Sequence, residues 1–314
     1  MTAQKRLLTG LQSSGTLHIG NYFGSLKPFS ELYGGYESFL MVADYHALTT
    51  LRDPEALRQN ILDVVRDYLA VGIDPARAVF FQQSTVPEHT ELAWIFECLV
   101  TVKFLELAHA YKDKVAKGLE ANAGLFNYPM LMAADILLYD TDVVPVGRDQ
   151  QQHIEYAREA AAKFNNAFGD TFTEPEAKIE ESVATVPGTD GQKMSKSYKN
   201  TIPLFGTKDE IAKAVMGIVT DSSGDRPEHV YAIHTLFRGE AELAALYEQH
   251  KGSYKALKEA LIEDIEELVA PMRERRAAIT DEEVRRVLAD GGEKARAIAS
   301  AKMAEVRTRV GVTI

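Results

Sequence analysis

Cysteine is almost missing from this sequence, because Cys98 is the only one among 314 residues. A single thiol excludes an intramolecular disulfide, and it also excludes zinc or iron–sulfur sites built from several cysteines. Cys98 stands in the apolar stretch Trp94-Ile-Phe-Glu-Cys98-Leu-Val. We therefore predict that its side chain is buried and acts as a small apolar residue rather than as a nucleophile.

Positive charge and long apolar runs are scarce as well. The chain carries 35 Lys and Arg against 46 Asp and Glu, a net charge of −11. This balance argues against unselective binding of nucleic acid and allows RNA contact only through a local basic patch. No apolar run approaches the length of a membrane span, and residues 1–6 are not followed by the apolar stretch of a signal peptide. We expect a cytoplasmic protein that binds neither membrane nor DNA.

The patterns that are present predict an α/β fold. Short apolar runs at 39–43 and 78–81 are typical of strands buried on both faces of a parallel sheet. Between them, residues 54–71 have the spacing of a helix, with Asp53 as its cap. This strand–helix–strand order predicts a doubly wound parallel sheet. From Thr207 onward only amphipathic helical patterns occur, which predicts a helical C-terminal domain.

A short strand followed by a glycine turn stands near the start of the chain. The short strand Arg6-Leu-Leu-Thr9 runs into Gly10, and a helix begins at His18-Ile-Gly-Asn21. A helix start exposes backbone N–H groups and the positive end of the helix dipole to a phosphate. His18 and Asn21 share a face, and Gly20 lets a nucleotide approach the backbone. The pattern indicates a phosphate site, although an ordinary strand-to-helix turn has the same pattern.

A second loop, Gly191-Gln-Lys-Met-Ser-Lys-Ser197, places two lysines three positions apart among hydroxyl groups. Lys193 and Lys196 supply compact positive charges, and Ser195 and Ser197 supply hydrogen bonds. Such a loop can wrap a polyphosphate. Alone it is typical of a solvated surface loop, and it gains weight from the glycine turn near the start of the same chain.

A carboxylate inside an apolar helical run carries the argument for specificity. Tyr128, Met132 and Asp135 stand at positions i, i+4 and i+7, so one helix face presents them together. A buried acid is costly unless something pairs with it. It suits a ligand with one buried N–H, such as indole, whose ring can lie against the methionine sulfur. An internal cap or salt bridge for Asp135 is the alternative. His46 follows the strand at 39–43 and is a candidate wall of the same pocket or a structural histidine.

His18-Ile-Gly-Asn21 and Lys193-Met-Ser-Lys-Ser197 resemble the two signature motifs of class I aminoacyl-tRNA synthetases. Within that class the whole chain resembles the subgroup for tryptophan and tyrosine, and above all the tryptophanyl-tRNA synthetases. Further matching stretches follow in the same order along the chain, at 44–49, 68–75, 132–139, 144–150, 219–222 and 292–295.

The resemblance implies a domain organisation and an oligomeric state. A Rossmann-like catalytic domain of the HUP type is expected over residues 1–205, with a helical insertion at about 85–130. A helical domain that binds the tRNA anticodon is expected over 206–314, with a last helix that packs back on the catalytic domain. The insertion is expected to form the interface of a homodimer.

The implied activity is ATP-dependent activation of L-tryptophan to tryptophanyl-adenylate, with release of pyrophosphate and transfer to the 3′ end of tRNA(Trp). Mg²⁺ is expected on the ATP phosphates, and no metal ligand is assigned within the protein. The expected catalytic residues are His18, Asn21, Lys193 and Lys196. The expected ATP-binding residues are Gln12, Ser13, Ser14, Gly20, Asn21, Gly147, Arg148, Asp149, Val186, Lys193, Met194, Ser195, Lys196 and Ser197. The expected amino-acid-binding residues are Asp135, Met132, Tyr128, Gln150 and His46.

Two alternatives remain open. A phenol hydroxyl could also donate to Asp135, so a tyrosyl-tRNA synthetase is the close rival, but tyrosine enzymes usually place glutamine where this chain has Met132. The second alternative is a synthetase-like regulatory protein without aminoacylation activity, against which the intact motif residues argue. Some positions depart from the family. Gln12-Ser13-Ser14-Gly15 lacks a common proline, and Val186 stands in for a methionine of a longer loop.

Overall fold

The computed structural model describes residues 4–11, 15–118, 120–146, 151–179, 186–220 and 226–313. Within these residues five parallel strands form a central sheet. The strands are β1 (Arg6–Leu11), β2 (Glu37–Val42), β3 (Ala78–Gln82), β4 (Val143–Val146) and β5 (Glu176–Ile179). Their order across the sheet is β3-β2-β1-β4-β5.

The predicted doubly wound sheet is confirmed, and its strand order locates a possible site. The chain winds from β1 through β2 to β3 on one side, and then places β4 and β5 on the other side of β1. The winding direction reverses between β1 and β4, which opens a crevice at the carboxyl ends of these strands. The sequence pattern does not predict β5, because Glu-Ala-Lys-Ile is short and half of it is charged.

Helices account for most of the remaining chain. They are α1 (Ile19–Asn21), α2 (Lys27–Leu32), α3 (Asp44–Ala47), α4 (Pro54–Ala70), α5 (Glu88–Glu97), α6 (Val102–Leu105), α7 (His109–Ala116), α8 (Ala123–Leu137), α9 (Gln151–Phe168), α10 (Lys208–Met216), α11 (Glu228–His234), α12 (Glu240–Gln249), α13 (Tyr254–Ala278) and α14 (Asp281–Val310). As predicted, α4 begins behind Asp53, whose Oδ1 accepts from the N–H groups of Glu55 at 2.9 Å and Ala56 at 3.1 Å. Across the described ranges, none of these helices combines the length and apolarity needed to cross a bilayer.

The sheet is buried on both faces, so side chains that are consecutive along a strand pack into two different apolar cores, one on each face. Leu8, Phe39 and Phe81 pack with apolar side chains of α5, α8 and α9 on one face. On the other face Leu40 and Phe80 pack with residues of α4 and the start of α14. Both layers of helices therefore fix the positions of the strand ends.

Helices α5 to α8 follow β3 in the chain and carry an apolar surface. On α5, Leu92 and Phe96 are fully buried, whereas Trp94 is 67% exposed. The prediction that Cys98 is buried is wrong, because this residue is exposed. Since Trp94 and Cys98 stand four residues apart near the end of α5, they lie on its outer face while the inner face packs in the core.

Helices α10, α11 and α13 share one apolar core with the two sequence motifs. Ile19 of α1 and Met194 pack in the same cluster as Ile211 of α10 and Ile265 of α13. The predicted boundary at residues 205 and 206 therefore falls inside a continuous apolar contact. The division into two domains stays a prediction.

The last helix, α14, packs against β3, α4 and α5. It is one helix of 30 residues, where the sequence pattern predicts two separate helices around Gly291-Gly292. A Cβ on Gly291 would overlap the carbonyl oxygen of Phe80 in β3, so only glycine lets the helix lie this close to the edge strand. Farther along, Arg307 makes two hydrogen bonds with Glu91 of α5, at 2.7 and 2.6 Å. A cavity of about 320 Å³ between α14 and β3 is lined by residues at the start of that strand, away from the crevice at its carboxyl end.

Candidate functional site

The first motif forms a helix start beyond the carboxyl end of β1. The His18 N–H donates to Asn21 Oδ1 at 3.0 Å, and the Ile19 N–H donates to the carbonyl oxygen of Ile202, also at 3.0 Å. The side chain of Asn21 therefore caps the helix through its oxygen. Its amide nitrogen is the end that can donate to a ligand.

The ring of His18 is buried but not saturated with hydrogen bonds. The residue is 7% exposed, and its Nδ1 has no hydrogen-bond partner among the described residues. Burial, and to a smaller extent the charge of Lys196, lowers the pKa of His18 to about 4. The ring is therefore neutral at pH 7, and it can form a hydrogen bond with a nucleotide without adding positive charge.

The second motif is held in shape by Asn200, which is 2% exposed. Its Oδ1 accepts from the N–H of Ser195 at 2.8 Å, and its Nδ2 donates to Asp190 Oδ1 at 2.7 Å and to the carbonyl oxygen of Lys193 at 3.1 Å. Its own carbonyl oxygen accepts from the N–H of Thr189 at 3.0 Å. Asn200 thus connects the turn at Thr189 and Asp190 to residues 191–197, here called the lysine loop. The sequence offers no sign of this role, since an asparagine in a polar stretch is ordinary there.

The side chains of the lysine loop are divided between the core and the solvent. Met194 and Val186 are buried, at 4% and 6% exposure, and the Met194 N–H donates to the Val186 carbonyl oxygen at 2.9 Å. Lys193 and Lys196 are exposed. Ser195 and Ser197 hydrogen-bond to each other through their hydroxyl groups at 2.9 Å.

The two motifs meet although they are far apart in the sequence. A Cβ built on Gly15 would lie 3.9 Å from Lys196 Nζ. A Cβ on Gly20 would lie 3.2 Å from Met194 Sδ and 2.9 Å from His18 Nδ1. The ammonium group of Lys196 is partly screened from solvent although the residue as a whole is exposed, and this partial burial lowers its pKa, while the charge of Asp67 opposes the shift. The arrangement places an ammonium group, a neutral imidazole and a glycine-lined helix start side by side, as a bound polyphosphate requires.

Asp135 lies near the end of α8 and is 1% exposed. Three side chains donate to it: Gln83 and His89 at Oδ1, at 2.7 and 2.6 Å, and His46 at Oδ2, at 2.8 Å. Burial would raise the pKa of Asp135, but the hydrogen bonds from His46 and His89, with the charge these rings can carry, hold it at about 2. The acid is therefore ionised, and the protein's own side chains fill part of its capacity to accept hydrogen bonds. Sequence reasoning missed Gln83 and His89, because neither position belongs to a recognised motif.

Tyr128 and Met132 continue the same face of α8 and are half-buried. The Tyr128 hydroxyl lies 3.1 Å from His153 Nε2, and its ring stands edge-on to His46 with centroids 6.4 Å apart. His46 belongs to α3, directly beyond the carboxyl end of β2. The structure therefore brings Tyr128, Met132, Asp135 and His46 together.

The remaining expected residues lie outside the described part of the chain. They are Gln12, Ser13, Ser14, Gly147, Arg148, Asp149 and Gln150. Their roles stay predictions. Gly15 follows the first of these segments, and Val146 of β4 precedes the second.

The sequence as a whole is similar to known proteins. The family model for tRNA synthetases class I (W and Y) matches residues 2–288. A tryptophan–tRNA ligase of Rhodopirellula baltica is 46% identical, over 98% of this chain and 99% of its own length. One from Fusobacterium nucleatum is also 46% identical, over 98% of both chains.

The fold is similar to a solved structure over the same extent. The tryptophanyl-tRNA synthetase from Campylobacter jejuni, complexed with ADP and tryptophan, superimposes with a TM-score of 0.92. The two chains are 44% identical, and the match covers 98% of this chain and 99% of the other.

Proposed function

Because this chain belongs to the class I tRNA synthetases for tryptophan and tyrosine, we propose that it is a tryptophan–tRNA ligase. The observation that carries the proposal is the meeting of Lys196 with the turn at Gly15, on the same edge of the sheet as the buried acid Asp135. One half of this site suits a polyphosphate, and the other suits an aromatic ring with a single N–H. An aromatic amino acid and ATP bound in these two halves can react with each other to form an aminoacyl-adenylate.

The first step is the activation of the amino acid. The carboxylate oxygen of tryptophan attacks the α-phosphorus of ATP, and the bond from that phosphorus to the bridging oxygen breaks, so pyrophosphate leaves. No protein base is needed, because the attacking carboxylate is already ionised. Catalysis consists of holding the reactants in line and stabilising the charge that grows on pyrophosphate. Lys193, Lys196 and the neutral ring of His18 supply that stabilisation, and Mg²⁺ arrives on the ATP phosphates as part of this substrate.

The face of α8 that carries Tyr128, Met132 and Asp135 selects tryptophan. Asp135 accepts the indole N–H, and the ring lies against Met132 and Tyr128. A carboxylate left with an unfilled acceptor position disfavours phenylalanine, which has no donor. Met132 favours an indole over the smaller phenol, since a thioether offers a flexible apolar wall and no hydrogen bond for a hydroxyl.

The second step transfers the activated amino acid to tRNA(Trp). A hydroxyl of the terminal ribose attacks the carbonyl carbon of the adenylate, and AMP leaves. We assign recognition of the tRNA anticodon to the helices of residues 206–314. Residues 1–205 are then the catalytic domain with its helical insertion, and the reaction takes place in the cytoplasm, where tRNA is used.

The protein is proposed to act as a homodimer through its helical insertion. Trp94, Val102 and Leu107 are exposed by 67, 64 and 50%. These three side chains and Cys98 are here called the insertion surface. Exposed large apolar side chains favour burial against a partner, and a second copy of the chain presents the same side chains.

Amino-acid-dependent exchange of pyrophosphate into ATP tests the proposal. We expect exchange with tryptophan, and exchange lower by at least about 10³-fold with phenylalanine, because the acceptor position on Asp135 stays empty. The control is Asp135→Asn, which keeps the shape of the side chain but replaces one acceptor oxygen with a donor. Preferential exchange with tyrosine would instead indicate the tyrosine enzyme. Binding of tryptophan without any exchange would indicate the regulatory alternative.

A further inference from the structure

The two oxygens of Asp135 have different surroundings. Oδ1 accepts from Gln83 Nε2 and His89 Nδ1, at 2.7 and 2.6 Å. Oδ2 accepts from His46 Nε2 at 2.8 Å. A carboxylate oxygen has room for about two hydrogen bonds. Oδ1 is therefore filled by the protein, whereas Oδ2 has a position left for one further donor.

The hydrogen bond between His89 and Asp135 can run in only one direction. The His89 ring is fully buried, and its Nε2 lies 2.8 Å from the Tyr139 hydroxyl. An ionised Asp135 only accepts, so Nδ1 carries the proton. Burial raises the pKa of Tyr139 and keeps its hydroxyl protonated, so this hydroxyl can donate to Nε2 of a neutral His89 ring. Asp135 thus sets the protonation of Nδ1 from which His89 donates, and the Tyr139 hydroxyl is the partner of the other ring nitrogen.

The amide of Gln83 is oriented in a similar way. Its Oε1 accepts from the N–H of Tyr45 at 3.2 Å, while its Nε2 faces Asp135. The reverse orientation would turn an amide oxygen towards the carboxylate and an NH₂ group towards a backbone N–H. Both contacts would then be repulsive, so Gln83 is a fixed donor.

We propose that His89 and Gln83 are positioning residues for substrate specificity. By filling Oδ1 they fix the rotation of the Asp135 carboxylate and leave Oδ2 as the acceptor for the ring N–H of the amino acid. The inference rests on the proposed function and deepens it. The substrate class is a planar aromatic amino acid with one donor on its ring, lying beside Met132 and Tyr128.

His46 has a different relation to the acid. Its side chain is 20% exposed, whereas that of His89 is fully buried. His46 shares Oδ2 with the substrate and stands edge-on to Tyr128. It borders the ligand, while His89 and Gln83 act only through Asp135.

The test compares tryptophan with its analogue in which sulfur replaces the ring N–H, the benzothiophene amino acid. The ratio of kcat/KM for tryptophan to kcat/KM for the analogue, both in pyrophosphate exchange, measures how much the N–H contact stabilises the transition state. A residue that only supports the fold would change both values together and leave this ratio unchanged. A residue that orients Asp135 changes the ratio, and it does so mainly through the KM for tryptophan.

Three variants isolate the donor of His89. Tyr139→Phe removes the hydroxyl but keeps the donor to Asp135, so it serves as the background. Adding His89→Phe keeps an aromatic ring in the same space but removes the donor, and we expect the ratio to fall by about tenfold or more. Adding His89→Asn instead restores an N–H at the Nδ1 position, and we expect the ratio to return to within about threefold of the background. Equal ratios in all three proteins would overturn the inference.

A measurement on the unmodified protein keeps the inference testable even if these variants fold poorly. Nitrogen NMR of the histidine rings should show His89 protonated at Nδ1 and not at Nε2, with and without tryptophan. The opposite tautomer would overturn the inference. If the unmodified protein exchanges pyrophosphate with tryptophan while the ratio is insensitive to His89, the proposed function stands and this inference alone fails. If no aromatic amino acid supports exchange, the proposed function itself fails.

Discussion

The side chain of Lys196 reaches the turn at Gly15, where its ammonium nitrogen lies 3.9 Å from the position that a Cβ would occupy. The two residues belong to different motifs, and no local pattern links them. Because Gly15 has a φ of +79°, its backbone takes the left-handed conformation that favours glycine. A phosphate bound at this turn would lie within reach of the lysine.

Replacing Lys196 with alanine should lower the rate of adenylate formation by on the order of 10²- to 10³-fold, because a charge that acts on the leaving pyrophosphate is lost. The affinity for tryptophan should hardly change, since Lys196 is not in the amino-acid pocket. Pre-steady-state adenylate formation and equilibrium tryptophan binding measure the two quantities. Equal losses in both would refute the role in leaving-group stabilisation.

The pKa of His18 should respond to the charge of Lys196. Burial is the larger cause of its low pKa of about 4, and Lys196 is the second. Lys196→Met should therefore raise the pKa of His18 measured by NMR, while leaving it below 6.5. Lys193→Met is the matched control and should leave that pKa unchanged.

The lowered pKa of His18 also determines how the free energy of unfolding changes with pH. The folded pKa of about 4 lies below the 6.5 of an unperturbed histidine, so the unfolded chain binds the proton more readily than the folded one. The contribution of His18 to stability is complete above pH 6.5 and is lost as the pH falls towards 4. In denaturant titrations, the difference in unfolding free energy between the parent protein and His18→Gln should be constant above pH 6.5 and should shift against the parent as the pH falls towards 4.

Changing Asn200 to Asp should disturb the lysine loop without touching the amino-acid pocket. The new carboxylate cannot donate to the Lys193 carbonyl oxygen, and it would face the carboxylate of Asp190. We expect slower adenylate formation, by about tenfold or more, with an unchanged KM for tryptophan. Adding Asp190→Asn supplies a donor opposite the new acid and should restore part of the rate. A rise in the tryptophan KM alone would contradict this role for Asn200.

Gly291→Ala should destabilise the fold by at least about 3 kcal/mol, the upper range for overpacking, because the new methyl group meets the rigid carbonyl of Phe80. Gly292→Ala is the neighbouring control. Its Cβ would lie 3.1 Å from the Thr85 side-chain oxygen, which can shift, and alanine gains about 1 kcal/mol of helix propensity over glycine. In denaturant unfolding, Gly291→Ala should have a much lower free energy of unfolding than Gly292→Ala. Equal stabilities would show that α14 can move away from β3.

The only tryptophan of the chain, Trp94, gives a direct signal for the proposed dimer. If the insertion surface is buried between two copies, the fluorescence emission of Trp94 should shift to shorter wavelength as the protein concentration rises. Leu107→Lys should abolish the shift and give a monomer in sedimentation. Val312→Lys is the matched control, because this residue is also an exposed apolar side chain, at 68%, but follows the end of α14. A monomer at all concentrations would exclude the dimer.

By itself the sequence determined the chemistry and the family of this protein. The lysine motif, the His18 motif and the acid at Asp135 are local strings whose residue types fit phosphate and indole binding before any contact is known. Strand–helix order likewise predicted the doubly wound sheet, because β1 to β3 and α4 have strong periodicity and clear caps.

Only the tertiary structure decided where these groups meet and what holds them. Helix propensity predicts a break at Gly291-Gly292, yet α14 continues because β3 requires its close approach. The donors of Asp135 come from three separate segments, and Asn200 acts through contacts across a turn. Outward exposure of Cys98 also depends on which face of α5 packs in the core. Local patterns carry period and propensity, whereas contact partners depend on the fold of distant segments, so those residues could not be found from sequence alone.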